Sequence, residues 1–592
     1  MQLTDHGAVE GPDQLEPAPP PPQPPPPTPA PRVASRLLWH LCLIVPLAAV
    51  VFFFQLGAAD FRDDGGSNGA QIVQELVAGE GWILPLRNGQ HLPVKPPLFY
   101  WLGAVSALAR GTTGDIWDSR APSAVLGVLG VLAVYLFSRW VAGERVALWA
   151  ALMLITTPQV IIEAKNSRVD IALAVFLTVG LFLAYRVLEG VGGRKTAALA
   201  GLCFGLAVLS KGPLALVLAA IVLLPTMLLN RPAPGWTALF SPWVVLGAVV
   251  LPALWYAAAT LVHGMAFLRL HLYVENVARL EGMHGHWPWW WYAEPLCTAG
   301  LPWMLALPLV IFGRSALSRR ARVFLWLWVG MMLLFFTLSP GKRRAYLLPL
   351  RPPLVILVAG WLVAALDRLQ AAPRATRPPL GAHVASLAFV VVGLLAILAL
   401  RAGLGGFGAA EVSASYWWRE YFAQHVGTAM AMVIGIGVAI ELMLMALWQR
   451  RIEIGLFAFT GVVAVGLTVG IPAGMIVQGE GGSFRLFAAD VTRHVPRDVP
   501  LRFFTCDDSN MISLLFHLQR HVPTAMAPDA GAPCVPPGNG FYLLPESRWD
   551  GDACFRDPRW QLAARGGPRV ASQRNRRMVL AQFVGTSPGG TF

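Results

Sequence analysis

Charged residues and cysteines are both scarce in this sequence. Only 13% of its 592 residues are Asp, Glu, Lys or Arg, whereas 55% are hydrophobic. Soluble globular domains do not have this composition, which excludes a soluble enzyme for most of the chain. The formal net charge of +13 does not indicate a nucleic-acid partner, because Lys and Arg in a multispanning protein mainly mark the loops that stay in the cytoplasm. We expect a polytopic membrane protein.

The six cysteines contain no CxxC spacing, which argues against a cysteine metal cluster. Three of them, Cys506, Cys534 and Cys554, lie in a polar tail. In an oxidising compartment, Cys534 and Cys554 are candidates for a disulfide.

A cleavable signal peptide is not apparent either. Residues 1–35 include the run PAPPPPQPPPPTPAPR, which has too little apolar surface to fold, so we expect a disordered cytoplasmic arm. The first apolar run follows this arm and lacks a convincing small-residue cleavage site. We therefore expect this run to remain as the first membrane span.

Apolar runs of about 17 to 25 residues, the length that crosses a bilayer as a helix, recur from Leu37 to Met475. Two further stretches, 67–81 and 96–110, are assigned to helices on the membrane surface in the first outer loop. The second is only about 22 Å long as a helix, which is short for a crossing. Thirteen spans result, near 37–57, 121–138, 146–163, 170–188, 196–210, 213–229, 238–262, 299–313, 322–338, 345–366, 383–401, 426–447 and 455–475.

The distribution of cations supports this all-α topology. With the N-terminus inside, every cytoplasmic turn is basic, as the positive-inside rule requires. Residues from 478 onward then lie outside, where strand-like runs such as LRFFT and GFYLLP predict a small extracytoplasmic α/β domain. The predicted domains are an arm at 1–35, a membrane domain at 36–477 and a periplasmic domain at 478–592.

Three consecutive cations interrupt the apolar segment LSPGKRRAYLLPLR, residues 338–351. The thirteen-span topology places Lys342, Arg343 and Arg344 outside, against the positive-inside rule. Cations kept in such a place usually meet an anion. The alternative is a short loop in which the charges are merely tolerated, since the rule is statistical.

Other polar residues are predicted on the same outer face, and they come from five separate segments. Cations that converge with carboxylates and imidazoles at a membrane boundary suit a phosphate-bearing lipid substrate and proton transfer. We expect Lys211 to open a helix, so that the N–H groups of the first turn add to its attraction for an anion. The residues are Arg62, Asp63, Asp64, Lys95, Lys165, Arg168, Asp170, Lys211, Glu275, Asn276, Arg279, His284 and His286.

Two positions offer carboxylates for acid–base chemistry. In RDDGGSNG (62–69), Asp63 adjoins Asp64, and a like-charged neighbour with partial burial raises a carboxylate pKa enough for a general base. The alternative there is a solvated Asx-type turn. Asp170 lies where the fourth span begins, and its alternative role is to interact with the positive end of that helix.

An aromatic loop, ENVARLEGMHGHWPWWWYAEP, occupies residues 275–295. Its four Trp and one Tyr are typical of an interfacial belt, although aromatic faces also stack on sugar rings. No HExxH or comparable spacing accompanies its histidines, so no metal ligand and no cofactor are assigned, and a divalent metal at His284 and His286 is the minor alternative. The substrate-lining candidates are Glu275, Asn276, His284, His286, Trp290 and, further along, Tyr346.

Seven segments together carry a family resemblance. They are GEGWILPLRNGQHLPVKPPLFYWLGA (79–104), DSRAPSAVLGVLGV (118–131), RVDIALAVFLT (168–178), FGLAVLSKGPLAL (204–216), ENVAR (275–279), HGHWPWWWY (284–292) and FFTLSPGKRRAYLLPL (335–350). In this order they resemble the bacterial aminoarabinose lipid A transferases. That group is a branch of the dolichyl-phosphate-mannose protein mannosyltransferase family, within the membrane-embedded GT-C glycosyltransferases. The resemblance covers roughly residues 37–365.

The resemblance implies that a polyprenyl-phosphate sugar is the donor, and that the sugar passes to lipid A, another glycan or a protein on the outer face, with inversion. It implies a catalytic aspartate at Asp63 or Asp64 and a second one at Asp170. It places donor-phosphate binding at Lys95, Lys211, Arg279, Lys342 and Arg343. We expect a monomer in the bacterial inner membrane, with the active site and the tail in the periplasm. The alternatives are a catalytically inactive lipid-binding member of the family and a lipid-phosphate transporter or flippase.

Two positions depart from the family pattern. After the two aspartates, the family's Arg-Tyr-Ala is replaced by Gly-Gly-Ser-Asn-Gly, which leaves the choice between Asp63 and Asp64 open. Val94 stands where aminoarabinose transferases have Glu before the KPPL lysine, which argues against a metal bridging that position and a loop histidine. The identity of the sugar is therefore open.

Overall fold

A computed structural model describes most of the chain. It divides into two compact units, residues 1–43 and 44–592, and the contacts reported below lie within the second. The predicted spans near 383–401 and 426–447 fall outside the described residues, apart from a few isolated positions. The described residues are 31–61, 64–91, 95–231, 234–277, 287–371, 430, 434, 437, 438, 441, 451–506, 511–526, 536, 538–568 and 576–584.

The membrane part consists of helices joined by short turns. The first, α1, begins at Pro31, inside the predicted arm, and proline suits the first turn of a helix because its missing N–H has no intrahelical partner there. The helices are α1 Pro31–Phe53, α2 Asp64–Val77, α3 Leu98–Arg110, α4 Ile116–Ala142, α5 Glu144–Ile155, α6 Pro158–Ala164, α7 Asp170–Leu188, α8 Gly193–Lys211, α9 Leu214–Leu229, α10 Pro242–Val245, α11 Leu251–Leu268, α12 Ala293–Thr298, α13 Leu307–Phe312, α14 Arg319–Leu338, α15 Arg351–Ala371 and α16 Ile452–Gly482.

The membrane part also contains π-helical segments, 3₁₀ segments and one short β-hairpin. Two π-helical segments, Leu246–Val250 and Arg269–Val277, flank α11, and a two-stranded hairpin of β1 (Leu86–Arg87) and β2 (Gln90–His91) follows α2. Short 3₁₀ segments occur at Trp236–Phe240, Trp289–Tyr292, Trp303–Ala306 and Arg344–Leu350.

Seven of the predicted spans correspond to single helices that are long and apolar enough to cross a membrane, and two more correspond to bent helix pairs. Seven such helices, or nine if each of two bent pairs forms one span, occur among the described residues. The predicted span near 196–210 corresponds to α8. The predicted span near 213–229 corresponds to α9, which is a shorter apolar helix. The predicted surface helix α3 is also a shorter apolar helix. The total of thirteen remains a prediction.

The predicted cytoplasmic turns meet at one end of the helices. Arg145, at the start of α5, pairs with Asp367 of α15 at 2.6 Å and with Glu453 of α16. Arg320 and Glu189 also form an ion pair, with 3.4 Å between Nη1 and Oε2. These contacts agree with the predicted grouping of the basic turns on one side.

Two bent helix pairs contact each other through polar side chains. The axis turns by 61° between α5 and α6 and by 114° between Trp289–Thr298 and Trp303–Phe312. Nε1 of Trp303 donates to Oγ1 of Thr156 over 2.9 Å, which links the two bends. A buried guanidinium, that of Arg351, donates to Oε1 of Gln159 at 2.6 Å and to two carbonyl oxygens of α12. The bends are therefore fixed by polar contacts between helices.

The tail folds as the predicted α/β domain. The elements are α17 Arg485–His494, β3 Leu501–Phe504, α18 Ile512–Leu518, β4 Thr524–Met526, β5 Gly540–Pro545, α19 Glu546–Gly551, a 3₁₀ turn Ala553–Arg556, β6 Trp560–Gly566 and β7 Met578–Phe583. The predicted runs LRFFT and GFYLLP supply β3 and β5. The five strands are arranged in the order β4-β3-β5-β7-β6, with β3 parallel to β4 and β5, and β7 antiparallel to β5 and β6.

Alternation along the strands gives this sheet two apolar faces. Phe503 and Leu543 belong to the core that includes residues of α17 and α18, whereas Phe504 and Tyr542 belong to an aromatic core on the other face. Successive strand residues point to opposite faces, which explains the division. Cys554 is disulfide-bonded, and its predicted partner, Cys534, lies outside the described residues.

Candidate active site

The centre of the candidate site is an ion pair where the first residue of one helix meets the last residue of its neighbour. Nζ of Lys211 lies 2.5 Å from Oδ1 of Asp170, and the two side chains are only 11% and 16% exposed. Asp170 is the first residue of α7, as predicted, so its carboxylate also lies at the positive end of that helix. A charge pair this far removed from water interacts more strongly than one on the surface.

Lys211 does not open a helix, and that prediction was wrong. It is the last residue of α8, and Gly212 follows with φ of 98°, a conformation that favours glycine, before α9 begins at Leu214. A cation at the C-terminal end of a helix is favourable, because the helix dipole is negative there. The attraction of Lys211 for an anion therefore comes from its own charge rather than from helix N–H groups.

Additional cations and an aromatic ring surround this pair. The charges of Arg168 and Arg343 act on Asp170 together with that of Lys211. Nζ of Lys211 lies 4.7 Å from the centre of the Tyr346 ring, a cation–π distance. The charges of three cations therefore act on this one carboxylate, and cations grouped in this way attract anions such as phosphate.

Lys342 is directed into the protein. Its ammonium donates hydrogen bonds to the carbonyl oxygens of Thr337 at 2.6 Å and Ser339 at 2.9 Å, and it lies over the Tyr292 ring at 5.5 Å. Burial lowers the pKa of Lys342. These bonds satisfy carbonyl groups at the end of α14, which have no intrahelical partner. The side chain thus stabilises the turn that presents Arg343.

The first outer loop packs against the segment that precedes Asp170. A Cβ atom on Gly69 of α2 would lie 2.7 Å from Oγ and 3.0 Å from the carbonyl oxygen of Ser167, so only glycine permits this approach. Helix α2 begins at Asp64, whereas Asp63 lies outside the described residues. The loop predicted to carry the catalytic base is therefore in contact with the segment that leads to Asp170.

The other predicted residues come from separate segments of the chain. Lys95 is half-buried and precedes α3, and Trp290 is exposed beside Trp289 in the Trp289–Tyr292 turn. Glu275 and Asn276 belong to the helical segment Arg269–Val277. Arg279, His284 and His286 lie outside the described residues.

Sequence reasoning missed two buried polar residues, Asp60 and Gln159. Asp60, only 7% exposed, is contacted by His517 and Ser483 of the chain beyond the last span. Gln159 donates to the carbonyl oxygen of Arg344 at 2.6 Å and accepts from Arg351. The available signal was a carboxylate and an amide side chain within or beside apolar runs, since such groups seldom lack partners. The identity of the partners is not readable from sequence.

Known proteins resemble this chain in sequence. A family model described as dolichyl-phosphate-mannose-protein mannosyltransferase matches residues 94–260. The undecaprenyl phosphate-alpha-4-amino-4-deoxy-L-arabinose arabinosyl transferase 2 of Pseudomonas fluorescens is 29% identical over 344 residues, covering 56% of this chain and 60% of that protein. The corresponding transferase of Pseudomonas aeruginosa is 30% identical over 346 residues, with the same two coverages. The chain thus spans about 60% of the length of these relatives.

Solved structures extend the likeness to nearly the whole chain. ArnT from Cupriavidus metallidurans bound to undecaprenyl phosphate superimposes with a TM-score of 0.70 at 19% identity, covering 93% of this chain and 99% of that one. The chain is similar to the aminoarabinose transferases and has their GT-C fold. The predicted resemblance is confirmed. Together with the apolar helices, the aminoarabinose-transferase relatives identify a multi-pass inner-membrane protein.

Proposed function

We propose that this protein is a membrane glycosyltransferase that moves a sugar from a polyprenyl phosphate to an acceptor on the outer face of the inner membrane. The observation that carries the proposal is the Asp170–Lys211 pair, on which the charges of Arg168 and Arg343 also act, so that a cluster of three cations meets at one carboxylate. A phosphate on a lipid needs such a cluster at the membrane boundary.

The donor phosphate is bound by Lys211 and Arg343, with Lys95 and Arg279 contributing from their own segments. As the sugar leaves, the phosphate gains negative charge, and fixed cations stabilise that charge more in the transition state than in the bound donor. Lys342, predicted as a direct phosphate ligand, acts through its contacts with Thr337 and Ser339 by fixing the turn that carries Arg343.

Asp63 or Asp64 acts as the general base. The base takes the proton from an acceptor hydroxyl or amine while that group attacks the anomeric carbon, and the bond between this carbon and the phosphate oxygen breaks with its electron pair going to the phosphate. Attack opposite the leaving phosphate inverts the anomeric configuration. Contact of Gly69 with Ser167 supports a position for this loop near Asp170.

Substrate identity is proposed at the level of class. The named relatives transfer 4-amino-4-deoxy-L-arabinose from undecaprenyl phosphate, so a pentose or hexose on a polyprenyl phosphate is the donor class. Lipid A, another envelope glycan or a protein is the acceptor. We further propose that the protein works as a monomer, with its active site and folded tail in the periplasm.

The test is mass spectrometry of lipid A, polyprenyl-phosphate lipids and outer-face glycans from cells with the wild-type protein, a deletion, and the Asp63→Asn/Asp64→Asn double variant. Asp550→Asn, an exposed aspartate of the tail that pairs with Arg565, is the matched control. We expect a pentose- or hexose-sized mass to be lost in the deletion and in the double variant, but to persist in the control.

Other outcomes favour other functions. If the double variant restores the mass that the deletion loses, the first-loop carboxylates are dispensable, and the base is Asp170 or the protein acts by binding lipid without catalysis. If the deletion changes no sugar mass at all, sugar transfer is the wrong reaction class.

A further inference from the structure

Polar contacts attach the folded tail to the hairpin and helix α2 of the first outer loop, and none of them involves Asp170 or Lys211. Asn88, at the tip of the β1–β2 hairpin, donates from Nδ2 to the carbonyl oxygen of Val522 at 3.0 Å and accepts from its N–H at 2.8 Å. A Cβ atom on Gly89 would lie 3.1 Å from Nδ1 of His521. Residues 521 and 522 are therefore held closely against this loop.

His521 lies beside a buried carboxylate on the loop. Its Nε2 is 2.9 Å from Oε2 and 3.1 Å from Oε1 of Glu75, whose side chain is only 6% exposed. Glu80 adds a third potential ligand, because one ligand atom from each of the three residues lies within 4.8 Å of the others. Imidazole nitrogen and carboxylate oxygen are ligands that Zn²⁺ commonly has in proteins.

A fourth polar group faces the same cavity without a hydrogen-bond partner. Gln71 is 3% exposed, and its Oε1 has no partner among the described residues. Gln71 and Glu75 are four residues apart on α2, so they share one face of the helix. Both line a cavity of about 440 Å³ that Glu80 and His521 also line. A buried carbonyl oxygen without a partner is costly, and a bound cation or its water would satisfy it.

Two arginines also line this cavity, but their donors are directed to other acceptors. Arg520 donates to the carbonyl oxygens of Pro496 at 3.1 Å and of Val499. Arg497 donates to Oε1 of Gln519 at 3.5 Å. The two carboxylates are consequently not neutralised by direct pairing with these guanidinium groups.

We propose that Glu75, Glu80 and His521 bind a divalent transition cation of the Zn²⁺ type, which fastens the first outer loop to the folded tail. Three ligands at about 2.1 Å from one metal lie roughly 3.4 Å from one another. The three ligand atoms, which now lie within 4.8 Å of one another, must therefore come closer together to bind one metal. The Glu80 side chain is exposed and can make this small movement. The site shares no residue with the Asp170–Lys211 pair, and its function is structural.

The experiment uses the full-length protein, purified in detergent and stripped with a chelator. Zinc content per chain and apparent Tm are measured with added Zn²⁺ for the wild type, Glu80→Gln, Glu75→Gln and His521→Gln. Glu80→Gln is the decisive variant, because it removes a ligand but preserves the contact between Glu75 and His521. Glu480→Gln, which changes another exposed glutamate, is the matched control.

We expect the wild type and Glu480→Gln to bind one more zinc ion per chain than Glu80→Gln, and to show a zinc-dependent rise in Tm that Glu80→Gln lacks. The loss of one ligand should weaken zinc binding by about tenfold or more. Equal zinc content in the wild type and Glu80→Gln, or binding only at millimolar zinc, would show that Glu75 and His521 form an ion pair alone. Neither readout depends on sugar transfer, so failure here leaves the proposed enzymatic function untouched.

Discussion

Nε2 of His517 lies 3.0 Å from both carboxylate oxygens of Asp60, a contact that joins the chain after the first span to α18 of the folded tail. Oγ of Ser483 and the N–H of Phe61 also donate to this carboxylate. Burial by itself would raise the pKa of Asp60, but the hydrogen bonds and charge of His517, with the bonds from Ser483 and Phe61, outweigh burial and lower it. Asp60 is therefore held ionised.

Replacement of Asp60 with Asn should loosen the tail from the membrane domain. The change leaves His517 without its anionic partner in a buried place, and a loss of about 1–3 kcal/mol is typical for such a group. We expect a lower apparent Tm for Asp60→Asn in detergent at neutral pH. Asp550→Asn is the surface control and should leave the Tm unchanged, and an unchanged Tm in both variants would contradict the role of Asp60.

Acidification provides an independent test of the same contact. Because the folded-state pKa of Asp60 is below the usual 3.8, its contribution to stability is present above the unfolded pKa and is lost as pH falls through the folded pKa. The Tm difference between the wild type and Asp60→Asn should shrink as pH drops from about 5 to about 3. A difference that grows on acidification would mean that the pKa is raised instead.

Lys211 should determine the affinity for the lipid phosphate. Lys211→Met removes the largely buried charge next to Asp170, and we expect polyprenyl phosphate to bind about tenfold or more weakly, equivalent to roughly 1.4 kcal/mol. Binding is measured by titration of the lipid against the purified protein. Lys195→Met, which changes an exposed lysine at the start of α8, should bind as the wild type does. Unchanged binding by Lys211→Met would remove Lys211 from the phosphate site.

Lys342→Met should behave differently from Lys211→Met. The ammonium of Lys342 satisfies the carbonyl groups of Thr337 and Ser339, so its loss should lower the apparent Tm, with a cost of about 1–3 kcal/mol. We expect the decrease in lipid affinity to be smaller than for Lys211→Met. Loss of affinity without any loss of Tm would instead identify Lys342 as a direct phosphate ligand.

Much of the fold was predictable because hydropathy and strand alternation are local signals. Apolar runs predicted the spans that correspond to α4, α7 and α14, and alternating residues predicted β3 and β5. The boundary carboxylate Asp170 was predicted at the first residue of its helix for the same reason. Local patterns determine such features irrespective of the rest of the chain.

The contacts within the site were less predictable. Charge distribution predicted that Lys342 lies on the outer side, but the direction of its side chain depends on the free carbonyl groups at the end of α14. His517 and His521 contact residues more than 400 positions earlier in the chain. Such pairs depend on tertiary packing that brings distant segments together. The periodicity of a single sequence does not indicate which distant segments will pack against each other.

Gly69 should be essential for the position of the first outer loop. In Gly69→Ala the new methyl group would meet the carbonyl oxygen of Ser167 at 3.0 Å as well as its hydroxyl at 2.7 Å, and backbone cannot move aside as a flexible side chain does. We expect a loss of about 1–3 kcal/mol in stability and a decrease in sugar transfer. Gly330→Ala is the control, since a Cβ atom there meets nothing within 4 Å, and alanine stabilises a helix by up to about 1 kcal/mol. Equal Tm values for the two variants would show that α2 shifts without cost.

Arg351 should connect the stability of the bent helices to the candidate site. Its guanidinium is fully buried and donates to Gln159 and to the carbonyl oxygens of Pro295 and Leu296, while Gln159 in turn donates to the carbonyl oxygen of Arg344. Arg351→Met leaves these acceptors unpaired, for a cost of about 2–4 kcal/mol. Arg351→Lys cannot reproduce three donors in one plane, so it should restore only part of the lost stability.

The apparent Tm and the affinity for polyprenyl phosphate are both measured. The control is Arg368→Met on the same helix, which changes an exposed arginine bonded to the carbonyl oxygen of Ala364. We expect both quantities to fall for Arg351→Met, because the turn that carries Arg343 loses its support through Gln159 and Arg344. If the Tm falls while the affinity is unchanged, Arg351 stabilises the helices alone and the turn is positioned by Lys342. If neither quantity changes, the buried hydrogen bonds of Arg351 do not hold the two bends in place.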